Sequence, residues 1–181
     1  MMALLPTLLT LLRVFLTPFI FRDVVDGHCH AALPLSILAG FTDLADGFLA
    51  RRLGSESRLG AWMDPIADKI LLTCLYVSFG IANLIPDWLV WLVVGRDAAI
   101  LAMVAVAMVA TKVREFPPSP AGKLSTVIQI AASLVVLASC TGFASAQGLV
   151  QASIIAVALI TAWSGVEYVW SAVHRFRAAR G

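Results

Sequence analysis

The chain has 181 residues, of which 60% are hydrophobic and only 13% are charged, and its mean hydropathy is +0.92. A soluble domain carries about 25% charged residues, so this composition excludes an ordinary soluble core and indicates an integral membrane protein. The net charge of +2 is too small to indicate a nucleic-acid partner.

Apolar runs of about 20 residues predict helices that each cross a hydrocarbon layer about 30 Å thick. Six such runs follow one another, and they predict helices over Leu5 to Phe21, Ala32 to Leu53, Leu59 to Asn83, Trp88 to Thr111, Lys123 to Thr141 and Leu149 to Ala172. Pro117, Pro118 and Pro120 are expected to close the fourth helix and hold the chain extended before the fifth. With no internal repeat or linker, residues 1–181 are predicted to form a single all-α domain of six transmembrane helices.

Cys29, Cys74 and Cys140 are scattered and form no CxxC pair. We therefore expect three small buried hydrophobic residues, not a disulfide framework or a zinc site. The first residues lack a basic region and a small-residue cleavage site, so no removable signal peptide is expected.

Lysine and arginine gather in the connectors that lie on one side of a six-helix topology. Nine of them occupy the 2–3 connector, the 4–5 connector and the tail: Arg51, Arg52, Arg58, Lys112, Arg114, Lys123, Arg175, Arg177 and Arg180. The opposite side holds only Arg22, and the remaining three lie within predicted helices. The positive-inside rule therefore predicts cytoplasmic N- and C-termini. Without an obvious presequence, a bacterial cytoplasmic (inner) membrane is expected.

Four aspartates lie where helices 2 and 3 meet their short connector. Asp43 and Asp46 are three residues apart near the end of helix 2, and Asp64 and Asp68 are four apart near the start of helix 3. Each charge placed at the bilayer centre costs about 2.5–3.5 kcal/mol, so these carboxylates are expected to face a wet cavity or a partner. Residues with this spacing share a helix face, and the two helices are antiparallel neighbours. The two pairs are therefore predicted to converge.

Converging carboxylates repel one another unless a cation compensates them. The donors are all hard oxygens, which favours Mg²⁺ or Mn²⁺ over zinc, and four ligands are enough for two ions that share a carboxylate. The alternative is that these aspartates cap helices or pair with nearby arginines such as Arg51, Arg52 and Arg58. Two pairs with small residues between them favour the metals.

Small residues at Gly47 and Ala50 allow a bulky ligand to approach the backbone of helix 2. Arg51, one residue further on, is suited to holding a phosphate. Together with metal carboxylates, these features indicate a ligand that carries a diphosphate.

The pattern D-x2-D-G-x2-A-R-x8-G-x3-D-x3-D resembles the signature of the CDP-alcohol phosphatidyltransferases. The chain fills its eight fixed positions without a gap: Asp43, Asp46, Gly47, Ala50, Arg51, Gly60, Asp64 and Asp68. The resemblance implies a CDP-alcohol phosphotransferase-like bundle of six transmembrane helices with cytoplasmic termini. Because relatives are commonly homodimers, it also implies a homodimer.

The resemblance also implies roles for these residues. Asp43, Asp46, Asp64 and Asp68 would hold two divalent cations, Mg²⁺ or Mn²⁺, on the diphosphate of CDP-diacylglycerol, and Asp68 would also act as general base. Gly47, Ala50, Arg51 and Gly60 would seat the CDP group. An alcohol oxygen would attack the lipid-side phosphorus and release CMP.

Two further segments bear on the acceptor alcohol. Arg96 in "GRDAAI", and Lys123 and Thr126 in "GKLSTVIQI", suit an acceptor that carries a phosphate. For Arg96 the alternative is a neutralising ion pair with Asp97 or Glu167, and for Lys123 it is the positive-inside bias alone. Phosphatidylglycerol, giving cardiolipin, and glycerol 3-phosphate, giving phosphatidylglycerophosphate, both fit.

Several stretches favour phosphatidylglycerol as the acceptor. The run "MDPIADKILLTCLYVSFGIANLIP", the "GRD" triplet and "GKLSTVIQ" are more similar to the family's cardiolipin synthases. Its phosphatidylglycerophosphate synthases usually carry Arg-Glu where this chain has Arg96 and Asp97. The segment "LLPTLLTLLRV" also resembles the family's P-x-x-L-T-x-x-R segment, with Arg13 in the cytoplasmic half of helix 1, but lacks the asparagine that many relatives carry before the proline.

A divalent-cation transporter is a remote alternative for a carboxylate cluster among six helices. Such a transporter is expected to have ligands near the bilayer midplane, together with broken helices or repeats. The predicted cluster lies near one face, and no repeat is visible. An enzyme is therefore favoured.

Overall fold

The structure is a computed structural model. It describes the backbone of residues 5–53, 58–110, 120–142 and 147–178, and the side chains of residues 8–42, 67–103, 120–142 and 147–170. These parts of the chain contain α-helices and turns but no strand. The helices are α1 Leu5–Val25, α2 Cys29–Leu53, α3 Arg58–Ile81, α4 Asp87–Ala110, α5 Pro120–Cys140 and α6 Gln147–Ala178. The prediction of an all-α chain is confirmed.

Several helices extend beyond the apolar runs that predicted them. α1 continues past Phe21 to Val25, α2 begins at Cys29, and α6 ends at Ala178. An apolar run marks the part of a helix suited to lipid, whereas backbone hydrogen bonding continues into the polar flanks. Pro120 was expected to precede the fifth helix, but it is the first residue of α5, where a missing N–H costs nothing. Pro117 and Pro118 lie outside the described residues.

Three helices end in a residue with a left-handed backbone: Gly27 after α1 (φ +76°), Asn83 after α3 (φ +56°) and Gly142 after α5 (φ +74°). At the end of α1, Gly27 N–H donates to the carbonyl of Val24 (3.1 Å) and His28 N–H to that of Asp23 (2.7 Å). This pair of bonds is the Schellman motif, which satisfies the last carbonyls of a helix. The connector between α1 and α2 is therefore a tight turn.

The helices bury polar side chains and expose apolar ones. In α1, Thr10, Arg13 and Thr17 are buried, whereas Phe15 and Phe19 are exposed. Further exposed apolar side chains lie on the other helices: Trp91 and Leu101 on α4, Val127 on α5, and Leu159, Trp163 and Val166 on α6. Soluble proteins show the opposite arrangement, whereas a hydrocarbon solvent favours this one.

Membrane-crossing segments can be recognised by length and composition. In the described parts of the chain, α5 and the Gln147–Trp170 part of α6 are long and apolar enough to span a bilayer. Cys29–Thr42 in α2 is a shorter apolar helical segment. Together with the exposed apolar side chains, these segments indicate a membrane protein.

The chain divides into two compact units. In the first, residues 1–84 and 133–145, α1 packs against both α2 and α3 around a core that includes Ile20, Val24 and Phe79. In the second, residues 85–132 and 146–181, α4 packs against α6 and buries Val93 and Val157.

A disulfide joins Cys29 and Cys140 in the first unit, with their Cα atoms 5.8 Å apart. The prediction that both cysteines are isolated hydrophobic residues is therefore wrong. The two lie 111 positions apart in sequence and only the packing of α2 and the end of α5 brings them together, so no local spacing pattern reveals the bond. Cys74 is a free, half-buried thiol.

Candidate active site

The signature is divided between two helices. Asp43, Asp46, Gly47, Ala50 and Arg51 belong to α2, and Gly60, Asp64 and Asp68 belong to α3. α1 packs against both of these helices and is their shared neighbour. Only the side chain of Asp68 falls in the described range, and those of the other seven positions lie outside it.

Asp68 is ion-paired with Arg13, whose Nη1 donates a hydrogen bond to Asp68 Oδ1. The Arg13 side chain is fully buried, whereas the Asp68 side chain is 35% exposed. The pair joins α1 to α3 across 55 positions of sequence. The carboxylate therefore lies at the edge of the protein interior, with a buried cation on one side and access to solvent from the other.

Arg96 lies in the middle of α4 and is paired with its neighbour in sequence. Its Nη1 donates to Asp97 Oδ1 (2.6 Å), and both side chains are less than 10% exposed. Its Nη2 donates to Ser164 Oγ on α6, and its Nε has no hydrogen-bond partner among the described residues. The structure thus contains the ion pair with Asp97 that was the alternative to acceptor binding. The acceptor role of Arg96 remains a prediction.

A groove of about 430 Å³ runs beside Arg96 between α4 and α6. Its walls are mainly apolar and include Leu92, Ile100, Met103 and Val169. A volume in this range is typical of a small-molecule site. The apolar walls suit a hydrocarbon chain better than a polar molecule such as glycerol 3-phosphate.

Lys123 and Thr126 lie near the start of α5, in the second unit, which also contains Arg96. Lys123 is exposed, and Thr126 is half-buried with its hydroxyl donating to the carbonyl of Gly122 (3.2 Å). Gln129 and Ser125 are buried instead, and Gln129 Nε2 donates to Ser125 Oγ (3.2 Å). α5 therefore buries Ser125 and Gln129, whereas Lys123 is exposed and Thr126 is half-buried.

The buried polar residues of α5 contact α6. Gln129 Nε2 also donates to Thr161 Oγ1 (3.4 Å) on α6, and Ser164 follows Thr161 by three residues, on the same helix face. Ser125 and Gln129 belong to the "GKLSTVIQI" stretch that bears on the acceptor, whereas Thr161 and Ser164 were not predicted from the sequence. The spacing of Ser125 and Gln129, one helical turn apart in an apolar helix, is the signal that indicates them.

The whole signature lies within a longer match to a known family. Residues 3–164 match the CDP-alcohol phosphatidyltransferase family. The chain belongs to this family. The resemblance inferred from the eight signature positions is thereby confirmed, and it extends over all of α1 to α5 and most of α6.

Several members of the CDP-alcohol phosphatidyltransferase family are similar in sequence. Human "Cardiolipin synthase (CMP-forming)" is 41% identical over 100 residues, which cover 55% of this chain and 33% of that protein. A Schizosaccharomyces pombe "Cardiolipin synthase (CMP-forming) / mitochondrial hydrolase fusion protein" is 38% identical over 101 residues, covering 56% of this chain and 17% of that protein. The chain thus spans a third or less of the length of these cardiolipin synthases.

A bacterial relative matches over a longer range. The "Probable phosphatidylglycerophosphate synthase" of Mycobacterium tuberculosis is 33% identical over 172 residues, which cover 91% of this chain and 79% of that protein. Identity is therefore higher to the human and S. pombe cardiolipin synthases over about half of the chain, and lower to this phosphatidylglycerophosphate synthase over nearly all of it.

CDP-alcohol phosphatidyltransferases generally depend on divalent cations. The side chain of Asp68 shows whether one predicted ligand in this chain suits such a cation. Asp68 offers carboxylate oxygen, the donor that Mg²⁺ and Mn²⁺ prefer, on a side chain that solvent can reach. No cluster of three or more acidic, histidine or cysteine side chains occurs within the described part, where Asp68 is the only one of the four predicted ligands. The Asp68 carboxylate is therefore a donor that suits a hard cation such as Mg²⁺ or Mn²⁺.

The pairing of Arg13 with Asp68 is not evident from the sequence, in which Arg51, Arg52 and Arg58 are the arginines near the signature aspartates. A signal was present in α1, where Thr10, Arg13 and Thr17 recur at helical spacing within a leucine-rich run. Such a stripe predicts one polar face that must be buried against another polar group in a membrane.

Proposed function

We propose that this chain is a membrane phospholipid synthase that transfers the phosphatidyl group of CDP-diacylglycerol to phosphatidylglycerol, releasing CMP and forming cardiolipin. Glycerol 3-phosphate, giving phosphatidylglycerophosphate, is the second candidate acceptor, because the M. tuberculosis phosphatidylglycerophosphate synthase matches 91% of the chain. The observation that carries the proposal is the gapless signature on α2 and α3, which lies within the family match.

The transfer needs a base that accepts the proton of the attacking alcohol. In the proposed mechanism, Asp68 is that base: as the acceptor oxygen bonds to the lipid-side phosphorus, its proton passes to the Asp68 carboxylate and the bond from phosphorus to the CMP oxygen breaks. The position of Asp68 supports this role, since an acceptor alcohol can reach its part-exposed side chain.

Asp43, Asp46 and Asp64, with Asp68, are proposed to hold two Mg²⁺ or Mn²⁺ ions. When bound, these ions neutralise the diphosphate of CDP-diacylglycerol and make CMP a better leaving group. Along α2 and α3, we propose that the signature positions between the aspartates seat the CDP group: Gly47, Ala50, Arg51 and Gly60. Their small side chains admit the nucleotide close to the backbone, and the Arg51 guanidinium suits a phosphate.

We further propose that Arg96, Lys123 and Thr126 contribute to binding the phosphate-bearing acceptor. The orphaned Nε of the buried Arg96 supports this role, because a buried guanidinium N–H favours an additional acceptor. The apolar groove beside Arg96 suits a hydrocarbon chain, which both phosphatidylglycerol and CDP-diacylglycerol carry. The higher identity to the human and S. pombe cardiolipin synthases, 41% and 38%, favours cardiolipin synthesis over the second candidate.

We propose that the six helices cross the bacterial cytoplasmic membrane as one domain, with both termini in the cytoplasm and a homodimer as the assembly. The charge asymmetry of the connectors supports this orientation. The disulfide supports it as well, because the orientation puts Cys29 and Cys140 on the outer side, where disulfides form and persist.

A product assay tests the proposed function. Purified protein is incubated with CDP-diacylglycerol and Mg²⁺ or Mn²⁺, with phosphatidylglycerol and glycerol 3-phosphate offered in parallel, and both CMP and lipid products are measured. We expect CMP release to depend on a divalent cation and on phosphatidylglycerol, with cardiolipin as the product. Phosphatidylglycerophosphate as the only product would establish the second candidate, and no CMP with either acceptor would favour the divalent-cation transporter.

A further inference from the structure

We infer that Arg13 is a positioning residue for the transfer reaction: its guanidinium fixes the orientation of the Asp68 carboxylate. The inference rests on the proposed function, in which Asp68 accepts the proton of the acceptor alcohol. Arg13 lies on α1, whereas the family signature lies on α2 and α3.

The geometry around Arg13 makes the contact directional. Arg13 Nη1 donates to one named oxygen of Asp68, Oδ1. The arginine has no freedom to follow the carboxylate, since its side chain is fully buried and its helix packs against both α2 and α3. One helical turn further on, the hydroxyl of Thr17 donates to the Arg13 carbonyl (2.8 Å), so both residues belong to the buried polar face of α1. Arg13 is therefore a rigidly held hydrogen-bond donor, and the part-exposed Asp68 carboxylate is its acceptor.

A guanidinium suits this task better than an ammonium. Its planar fork of N–H groups defines the direction of each hydrogen bond, whereas the lysine ammonium is a point charge on a flexible stem. Correct placement of a reacting group matters greatly, because an error of about 1 Å can reduce turnover by about 100-fold. Arg13 can therefore affect the rate without contacting either substrate.

A purely structural role explains the ion pair less well. Replacing a buried ion pair with packed hydrophobic residues is often neutral or stabilising, so burying a charge here has no clear advantage for stability. The first unit already packs through apolar side chains such as Ile20, Val24 and Phe79. What the guanidinium adds is a defined orientation for the Asp68 carboxylate.

The test compares Arg13→Met and Arg13→Lys with the wild-type protein in detergent or nanodiscs. Arg22→Met is the matched control, because Arg22 lies on the same helix but makes only an exposed pair with Asp26 (3.3 Å). For each protein, kcat, the KM for CDP-diacylglycerol, the KM for phosphatidylglycerol and thermal stability are measured. We expect a fall in kcat of about 100-fold for Arg13→Met, with a smaller fall for Arg13→Lys. Both KM values should change little, and Arg22→Met should match the wild type.

The lysine variant keeps the inference testable if Arg13→Met does not fold, because it retains the buried charge. A folded Arg13→Lys protein with reduced kcat, unchanged KM values and wild-type thermal stability supports the inference, since loss of a purely structural contact would lower thermal stability. Wild-type kcat in Arg13→Lys, or in a folded Arg13→Met, overturns it. If the wild-type protein itself releases no CMP, the proposed function fails, whereas an active wild type with fully active variants overturns only the role of Arg13.

Discussion

Arg13 and Asp68 form an ion pair whose two ends lie in different surroundings, one fully buried and one 35% exposed. Removing the Asp68 carboxylate takes away an ionic partner of the buried Arg13 guanidinium. Breaking a fully buried pair typically costs about 3–5 kcal/mol, whereas exposed pairs contribute about 0–1 kcal/mol, so the cost for this half-exposed pair lies between the two. A substitution at Asp68 therefore has structural as well as catalytic consequences.

We predict that Asp68→Asn abolishes CMP release and also lowers thermal stability. The amide cannot accept the proton, and it replaces a charged partner of Arg13 with a neutral one, a loss of up to about 3 kcal/mol. CMP release and thermal unfolding of the purified variant check both effects.

The matched control for this prediction is Asp26→Asn, which breaks the exposed pair with Arg22. Exposed pairs of this kind contribute about 0–1 kcal/mol, so the control should retain activity and stability. Full activity in Asp68→Asn would exclude Asp68 as the base, and wild-type stability in that variant would show that Arg13 does not depend on its charge.

At the level of helices, the disulfide connects the first residue of α2 to the last residue of α5. Cys29 is the first residue of α2, just after Gly27, and Cys140 is the last residue of α5, just before Gly142. The bond closes a loop that spans 111 positions of sequence. Cross-links across long loops restrict the unfolded chain most, although the measured benefit varies.

We predict that Cys29→Ser or Cys140→Ser lowers the free energy of unfolding by about 2–4 kcal/mol. Thermal unfolding in detergent should show the same loss when the wild-type protein is reduced, and peptide mapping without reductant should recover the two cysteines as one linked peptide. Cys74→Ser is the control, because Cys74 is a free thiol and its removal should leave the response to reductant unchanged. Recovery of Cys29 and Cys140 as free thiols from the oxidised protein would contradict the prediction.

For the whole molecule, the proposed orientation in the membrane rests on the uneven distribution of lysine and arginine among the connectors. The connector between α1 and α2 and the C-terminal tail lie on opposite sides of the membrane if both termini are cytoplasmic and six helices cross it. Asp26 is exposed in that connector, and its pair with Arg22 is solvent-exposed, so a cysteine there should react without disturbing the fold.

We predict that, with Cys74→Ser as background, Asp26→Cys reacts with a membrane-impermeant maleimide in intact spheroplasts. Gly181→Cys, at the C-terminal residue, should react only after permeabilisation. Labelling is read by mass shift, with the parent Cys74→Ser protein as the control. The reverse pattern would invert the orientation, and labelling of both sites in intact spheroplasts would require an odd number of crossings.

Much of this protein could be predicted from sequence because the relevant physics is local. Apolar runs predicted the order and approximate bounds of all six helices in the described chain, from Leu5–Val25 to Gln147–Ala178. The signature from Asp43 to Asp68 indicated the family, since residue spacing along a helix is set by the 3.6-residue turn. Some helix limits differ by a few residues: α1, α2 and α6 extend beyond their apolar runs, whereas α3 ends at Ile81, before the predicted Asn83.

The contacts that only the tertiary structure decided all join residues distant in sequence. Arg13 meets Asp68 across 55 positions, Arg96 meets Ser164 across 68, and Cys29 meets Cys140 across 111. Each depends on how two helices are rotated and packed against each other, and hydropathy and local spacing contain no information about that choice. The sequence alone therefore determined the family and the residues that we propose for the chemistry, and the packing of α1 against α3 determined that the buried Arg13 contacts Asp68.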